Sequence, residues 1–510
     1  MHKGPADWER GDGMSFGRSI FEAMAAHGDR PAILTGREQL SYSDVLGQAA
    51  SLAANFADLG VGSGARVGLA MQDTMEVALS ILACWRLAAT PVIIDFRAPR
   101  AQRARIVNDF GVVLALETRS PPGTEEYPAM RFDREWRFAA KRPLPAGAAI
   151  DCSNPAFLLL SSGTTGDPKA YVQTHDALAA RIVQRKAVMD AGEMRFLTPM
   201  TLSYSASRHQ VLAYLFFGGT VSFFPPLFTP SELAEALLAF RANGSALPPP
   251  VIARLAREAG ERSSVMFPQL GSLYSIGGPA TAEEKIAAYR NLSRGYRISY
   301  ASSLTGMVSV LAGEDVLAKP ESSGRLVGGV RVEILDAGHR PLATGERGLI
   351  KAYTKTMASA VLLPGDTPFV DPLVMGPDWG VPGDIGFLDA DGFLTIVDRE
   401  GDMIVRGGVN IAPQELEKLI RAHPKVTDVA VAGFPDPTMG QEIAAFVVSE
   451  TGMTVDELRQ FLATSVAPDR RPRELRIVRA LPYNTNGKLL RRTLVETIVA
   501  ERAARPSERQ

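Results

Sequence analysis

The stretch DTMEVALSILACWRLAATPVIID, residues 73–95, constrains the fold more than any other part of the chain. Asp73 and Glu76 stand at capping-box spacing, apolar residues then recur at helical spacing, and TPVIID follows as a short apolar strand. APRAQRARIVNDFG followed by VVLALE, residues 98–117, repeats the same order of helix and strand. A helix that leads each time into a short apolar strand predicts an α/β fold with mainly parallel sheet.

The alternation persists downstream. QVLAYLFFGGTVSFF reads as helix, Gly-Gly turn and strand, and SELAEALLAFRANGS as an amphipathic helix ended by Asn243-Gly244. Near residues 325–350 the pattern changes to strands broken by Gly turns, the mark of a β-rich subdomain. A boundary is expected at 398–402, followed by a compact α+β unit with helices at 413–422 and 455–466. With 510 residues the chain exceeds a single small domain. The expected division is a large N-terminal α/β domain over 1–398, a hinge at 399–402, a small mobile α+β domain over 403–500 and a disordered tail at 501–510.

Charge narrows the function classes. Lys and Arg number 55 against 56 Asp and Glu, and no basic stripe argues for nucleic acid or an anionic membrane. The most apolar stretch, Val77 to Phe96, is interrupted by Arg86 and Asp95, which predicts no membrane span. Two separated cysteines, Cys84 and Cys152, and an N-terminus without an apolar core lead to the expectation of a reducing cytoplasm.

The chemistry begins at LLLSSGTTGDPKAYVQTH, residues 158–175. Gly163 and Gly166 let backbone N–H groups approach an anion, Ser161, Ser162, Thr164 and Thr165 add hydroxyls, and Lys169 adds charge. The spacing is not that of the GxxxxGK[ST] phosphate loop. A phosphate cradle and a solvated turn between strands are the two readings of the segment by itself.

SSGTTGDPK resembles the signature of the adenylate-forming superfamily, which includes acyl- and aryl-CoA ligases and the adenylation domains of peptide synthetases. The resemblance extends in order through SIGGPAT (275–281), SYASSLTG (299–306), GDIGFLDADGFLTIVDREGDMIVRGGVNIAPQELE (383–417) and PYNTNGKLLRR (482–492). It implies attack of a carboxylate on the α-phosphorus of ATP, giving acyl-AMP and pyrophosphate, with magnesium accompanying the nucleotide. It assigns the β- and γ-phosphates to Ser161, Ser162, Gly163, Thr164, Thr165, Gly166 and Lys169. Gly277, Gly278, Tyr300, Ala301, Ser302 and Ser303 would line adenine, Asp384 and Arg399 the ribose, and Lys488 would bridge carboxylate and α-phosphate. It further implies rotation of the C-terminal domain about Gly401, where relatives place Asp or Lys, and attack by a thiol on the acyl-AMP. Few residues follow 492, so the thiol is expected on coenzyme A or on the phosphopantetheine of a separate carrier protein.

Two departures stand out. Relatives read Tyr-Gly-x-Thr-Glu where this chain has Tyr300-Ala301-Ser302-Ser303-Leu304, so Leu304 replaces a glutamate expected to help hold magnesium. A leucine cannot ligate a hard cation, and no protein ligand is assigned to the metal. Replacing Leu304 by Glu is expected to tighten magnesium-ATP binding. In the acyl-side segment PMTLSYSASRH (199–209), Leu202 replaces a His, Ser203 stands where amino-acid-activating relatives have Asp, Tyr204 is kept, and Arg208 replaces a small residue. Ser203 disfavours an α-amino acid. Arg208 either pairs with a second carboxylate or polar acyl group, or turns outward to solvent or a helix end. His175 is open between a structural and a functional role. Three functions are carried: an acid–thiol ligase, an enzyme passing the acyl group to an amine, and a catalytically altered adenylate-binding protein.

Overall fold

The computed structural model describes residues 16–118, 126–139, 150–162, 168–186, 189, 194–260, 264–369, 371–407, 409–483 and 489–503. Two compact units emerge, Met1–Arg331 with Ala352–Gly380, and Val332–Lys351 with Val381–Gln510. The elements that carry the site are β1 (Pro155–Ser162), β2 (Pro168–Thr174), α1 (His175–Lys186), α2 (Ser205–Phe216), β3 (Ser272–Ser275), β4 (Tyr296–Ser302), β5 (Gly306–Ala312), β6 (Asp384–Leu388), β7 (Leu394–Arg399), α3 (Pro413–Arg421) and α4 (Arg491–Ala503).

The first unit is built on two sheets, of eight and nine strands among the described residues. In the eight-stranded sheet Arg66–Ala70 lies between Thr90–Ile93 and Val112–Glu117 and runs parallel to both, as the helix–strand repeat requires. Asp73 caps the helix Thr74–Arg86 by accepting from the N–H groups of Met75 and Glu76. Glu76 does not complete the reciprocal box. Its carboxylate pairs instead with Arg134 at 2.5 Å. That helix buries Trp85, whose indole N–H donates to the Ala156 carbonyl at 3.0 Å and whose ring meets Phe157 and His175 edge-on.

The nine-stranded sheet contains β3, β4 and β5, with β4 and β5 an antiparallel pair. Helix Pro230–Ala239 ends before Asn243-Gly244, with Arg241 at φ 51°. The Asn-Gly pair instead opens the strand Gly244–Leu247, and the reason is packing. A Cβ at Gly244 would fall 1.9 Å from the Tyr214 hydroxyl, and Asn243 Oδ1 accepts from the Arg195 N–H at 2.8 Å.

In the second unit β6 and β7 form an antiparallel pair within a small sheet that also holds Arg331–Leu335 and Gly348–Tyr353. A further sheet pairs Asp428–Asp436 with Gly440–Val448 along nine register positions and carries α3, Val455–Ser465 and α4 around it. Helix α4 continues to Ala503, and residues 504–510 lie outside the described residues. No helix among the described residues is long and apolar enough to cross a membrane.

Candidate active site

Strands β1 and β2 pair antiparallel with Ser161 opposite Lys169 and Ser162 opposite Pro168. Residues 163–167, with Gly163, Thr164, Thr165 and Gly166, lie outside the described residues. The Lys169 ammonium stands 5.1 Å from the centre of the Phe369 ring.

Gly277 and Gly278 follow the end of β3, and Gly277 takes φ 108°, a conformation that favours glycine. Tyr300, Ala301 and Ser302 close β4, with a register shift between Tyr300 and Ala301. The turn after them is pinned from several sides. Ser302 Oγ accepts the Thr305 N–H at 3.0 Å, Thr356 Oγ1 donates to the Thr305 carbonyl at 2.6 Å, and Arg181 Nη2 donates to the Ser303 carbonyl at 3.0 Å. Gly306, at φ 76°, lets that packing close, since a Cβ there would sit 2.5 Å from Thr356 Oγ1.

Leu304 is 2% exposed and packs with Met357, Ala358 and Val361. Its carbonyl accepts the Ala358 N–H at 2.7 Å, and a side chain on Gly380 would collide with it. The leucine thus fills an apolar cluster, and these surroundings do not fit a magnesium-binding carboxylate. A glutamate at this position would place a charge among these apolar side chains without a partner in the cluster.

Asp384 and Arg399 face each other across β6 and β7, with Arg399 Nε donating to Asp384 Oδ1 at 2.7 Å. Asp384 is 3% exposed, which is sustained by this charge-assisted bond. Immediately beside them Asp398 is fully buried. It accepts the N–H of Arg399 at 2.8 Å and the N–H of Gln414, in the first turn of α3, at 3.2 Å. Burial pushes its carboxyl up to about 6 against the opposing pull of those two N–H groups. Gly401 lies in the short helical turn Glu400–Asp402, and Lys488 lies outside the described residues.

In the segment PMTLSYSASRH, Leu202 is buried, Ser203 Oγ is 2.7 Å from Thr201 Oγ1, and Tyr204 precedes α2 as its N-cap residue. Arg208 is 2% exposed, so it faces the interior and not solvent. Its Nη1 donates to the Leu202 carbonyl at 2.7 Å, and its guanidinium lies over Phe157 at 4.4 Å. Two further buried arginines join it, which motif reading missed. Arg181 and Arg185 sit one turn apart on the buried face of α1. The signal was present in HDALAARIVQRK, where both fall in register with Leu178 and Ile182 on what is otherwise an apolar stripe.

Burial pushes Arg181 and Arg208 down to about 9, with Arg185 and Arg208 adding repulsion at Arg181, and burial lowers Arg185 as well. A guanidinium keeps its proton in proteins, so the direction records three poorly compensated buried charges. His209 is held well below its ordinary range by burial and then by all three arginines. It is therefore neutral, with Nε2 3.0 Å from Gln173 Oε1. His175, also buried and pushed down to about 4 by burial, packs on Trp85 as a core residue.

A large unit with parallel sheets, a smaller α+β unit and the ordered motifs define an adenylate-forming enzyme of the acyl- and aryl-CoA ligase type. Residues 20–360 match the family model of the AMP-binding enzyme and residues 415–488 that of the AMP-binding enzyme C-terminal domain. The chain belongs to the AMP-binding enzyme family. It is 30% identical over 374 residues to the peroxisomal OPC-8:0-CoA ligase 1 of Arabidopsis thaliana, covering 68% of this chain and 65% of that ligase. It is 28% identical over 472 residues to the uncharacterized acyl–CoA ligase YhfT of Bacillus subtilis, covering 91% of this chain and 94% of that one. The fold is similar to that of o-succinylbenzoate CoA synthetase from Bacillus subtilis bound to its acyl-adenylate, with a TM-score of 0.82 and 22% identity over 93% of this chain and 97% of that one. It is also similar to the amide bond synthetase McbA from Marinactinospora thermotolerans, with a TM-score of 0.80 and 21% identity over 95% of this chain and 99% of that one.

Proposed function

We propose that this protein activates a carboxylic acid with ATP and transfers the acyl group to a thiol. A carboxylate oxygen bonds to the α-phosphorus, the bond to the bridging oxygen of the β-phosphate breaks, and pyrophosphate leaves. The thiol sulfur then bonds to the acyl carbon, AMP departs, and the thiol proton passes to solvent. The 161–169 loop with Lys169 would take the outer phosphates, Gly277, Gly278 and Tyr300–Ser303 the adenine, and Asp384 with Arg399 the ribose. Lys488 would steady the charge that develops at the α-phosphate. Magnesium would arrive on the nucleotide's phosphates. The acceptor is coenzyme A or a carrier-protein phosphopantetheine, and rotation near Gly401 would exchange the two half-reactions.

The observation that carries this reading is the Asp384–Arg399 pair. A carboxylate 3% exposed is oriented at 2.7 Å by a guanidinium, on the two strands that hold the most extended motif match. Such a carboxylate suits hydroxyl donors of a ribose. The test is pyrophosphate release with ATP, magnesium and a panel of acids, followed by addition of coenzyme A or carrier protein. Lys488→Ala is expected to cut adenylation by about 100-fold or more while preformed acyl-AMP still reacts with thiol. Equal loss in both steps would contradict the two-conformation scheme. The burial of Leu304 at the usual magnesium position favours one second reading, an adenylate-binding protein without turnover. Nucleotide binding with no pyrophosphate from any acid would establish that reading instead.

A further inference from the structure

We propose that the acid activated by this enzyme carries a second carboxylate, and that Arg185 and Arg208, backed by Arg181, receive it. The inference rests on the ligase reading and adds the substrate class.

The three guanidiniums come from two packed helices of one unit, Arg181 and Arg185 from α1 and Arg208 from α2. All three are buried, with exposures of 4%, 8% and 2%. Among the described residues no carboxylate pairs with any of them. Arg181 is spent on backbone, donating through Nε to the Thr356 carbonyl at 2.9 Å and through Nη2 to Ser303. Arg208 spends Nη1 on the Leu202 carbonyl, but its Nε is buried without a hydrogen-bond partner. Arg185 Nε is likewise buried and unpartnered, as is Gln173 Nε2 beside His209. Neutral groups near Arg185 include His209 and the Tyr204 and Tyr274 hydroxyls, and the hydroxyls can donate to an anion as well as accept.

Carbonyl oxygens satisfy donors without cancelling charge, so the cluster is complete only with an anion. Its place selects which anion. Arg208 is bonded to the acyl-side segment itself, at Leu202, and that segment lines a narrow cleft with Leu69, Gln72, Ile94, Phe96 and Ser203. The ligase reading gives the nucleotide's phosphates to the separate segment 161–169. A carboxylate at the far end of the acyl chain matches the planar fork of a guanidinium and its remaining Nε–H.

The test compares succinate, glutarate, adipate and phthalate with butanoate, pentanoate, hexanoate and benzoate in pyrophosphate release by the full chain. At least one diacid is expected to exceed its monoacid counterpart by about 100-fold in kcat/KM. Arg185→Met and Arg208→Met should collapse that ratio towards one, and Arg208→Lys should restore part of it. A merely structural arginine would show the reverse signature, with a lower Tm and an unchanged ratio. Independently of folding of the variants, the diacid and not the monoacid should raise the Tm of the unmodified protein. Turnover of monoacids with no diacid preference overturns the inference and leaves the ligase reading standing. No pyrophosphate from either set overturns both.

Discussion

Arginines are treated in opposite ways in two regions of the molecule. In the second unit, half-buried Arg406 grips Glu442 bidentately at 2.9 and 3.0 Å, with Glu442 1% exposed and Arg473 adding a third bond. Arg491 likewise holds Glu417 at 2.6 Å and approaches Asp402 at 3.7 Å. Burial pushes the Glu442 carboxyl up, but its bonds to Arg406 outweigh that and leave it below the usual range. The first unit also pairs Arg137 with Glu38 at 2.7 Å. Only around α1 and α2, among these, is buried positive charge left to carbonyls. Where charge is neutralised within the chain it is architecture. Where neutralisation is deferred, the charge is available to a ligand.

The largest effect is expected from breaking the architectural pair. Arg406→Ala leaves Glu442, 1% exposed, with Arg473 as its remaining cation and should cost about 3–5 kcal/mol in denaturant unfolding. Glu442→Ala should cost less, since half-buried Arg406 keeps the Asp469 carbonyl and reaches solvent. A loss within the error of the measurement in both variants would place the pair with ordinary surface bridges.

Leu304→Glu comes next. A carboxyl forced among Met357, Ala358 and Val361 should cost about 2–4 kcal/mol, read as a fall in Tm, with no tightening of magnesium-ATP by calorimetry. Tighter nucleotide binding at unchanged Tm would show that the side chain escapes the cluster.

Asp398 gives a pH-dependent effect. Its folded carboxyl is raised, so between about 4 and 6 the folded state binds more protons than the unfolded one, and stability falls as pH rises through that window. The contribution is about 3 kcal/mol. Asp398→Asn should flatten the slope of unfolding free energy against pH in that window relative to the parent. A parallel slope would contradict it.

The smallest change in stability is expected at Arg185→Met. Removing an uncompensated buried charge should leave stability within about 1 kcal/mol of the parent or raise it, as measured by thermal melts. The contrast with Arg406→Ala is the sharpest measure of the difference between the two regions.

Much of this was legible in the chain. Helix–strand alternation over 73–117 specified parallel sheet because periods of 3.6 and 2 residues demand different neighbours. Asp384 and Arg399 were legible as a motif, and the register of an antiparallel pair brought them face to face. Arg181 and Arg185 were hidden, because a helical stripe tells which face is inward but not what lies opposite. The extent of the helix Pro230–Ala239 was misread because the Asn243-Gly244 turn signal serves close packing against Tyr214 at a strand start.

The amino-acid sequence by itself determined the fold class, the family and the order of the motif segments, since each depends on local spacing and on residue types that act through their own backbone. Tertiary structure alone decided the meaning of the two substitutions. Leu304 became part of an apolar cluster and Arg208 part of a buried cationic one. A side chain's burial and the charges around it are set by residues far away in sequence, here Met357 for the one and Arg181 and Arg185 for the other.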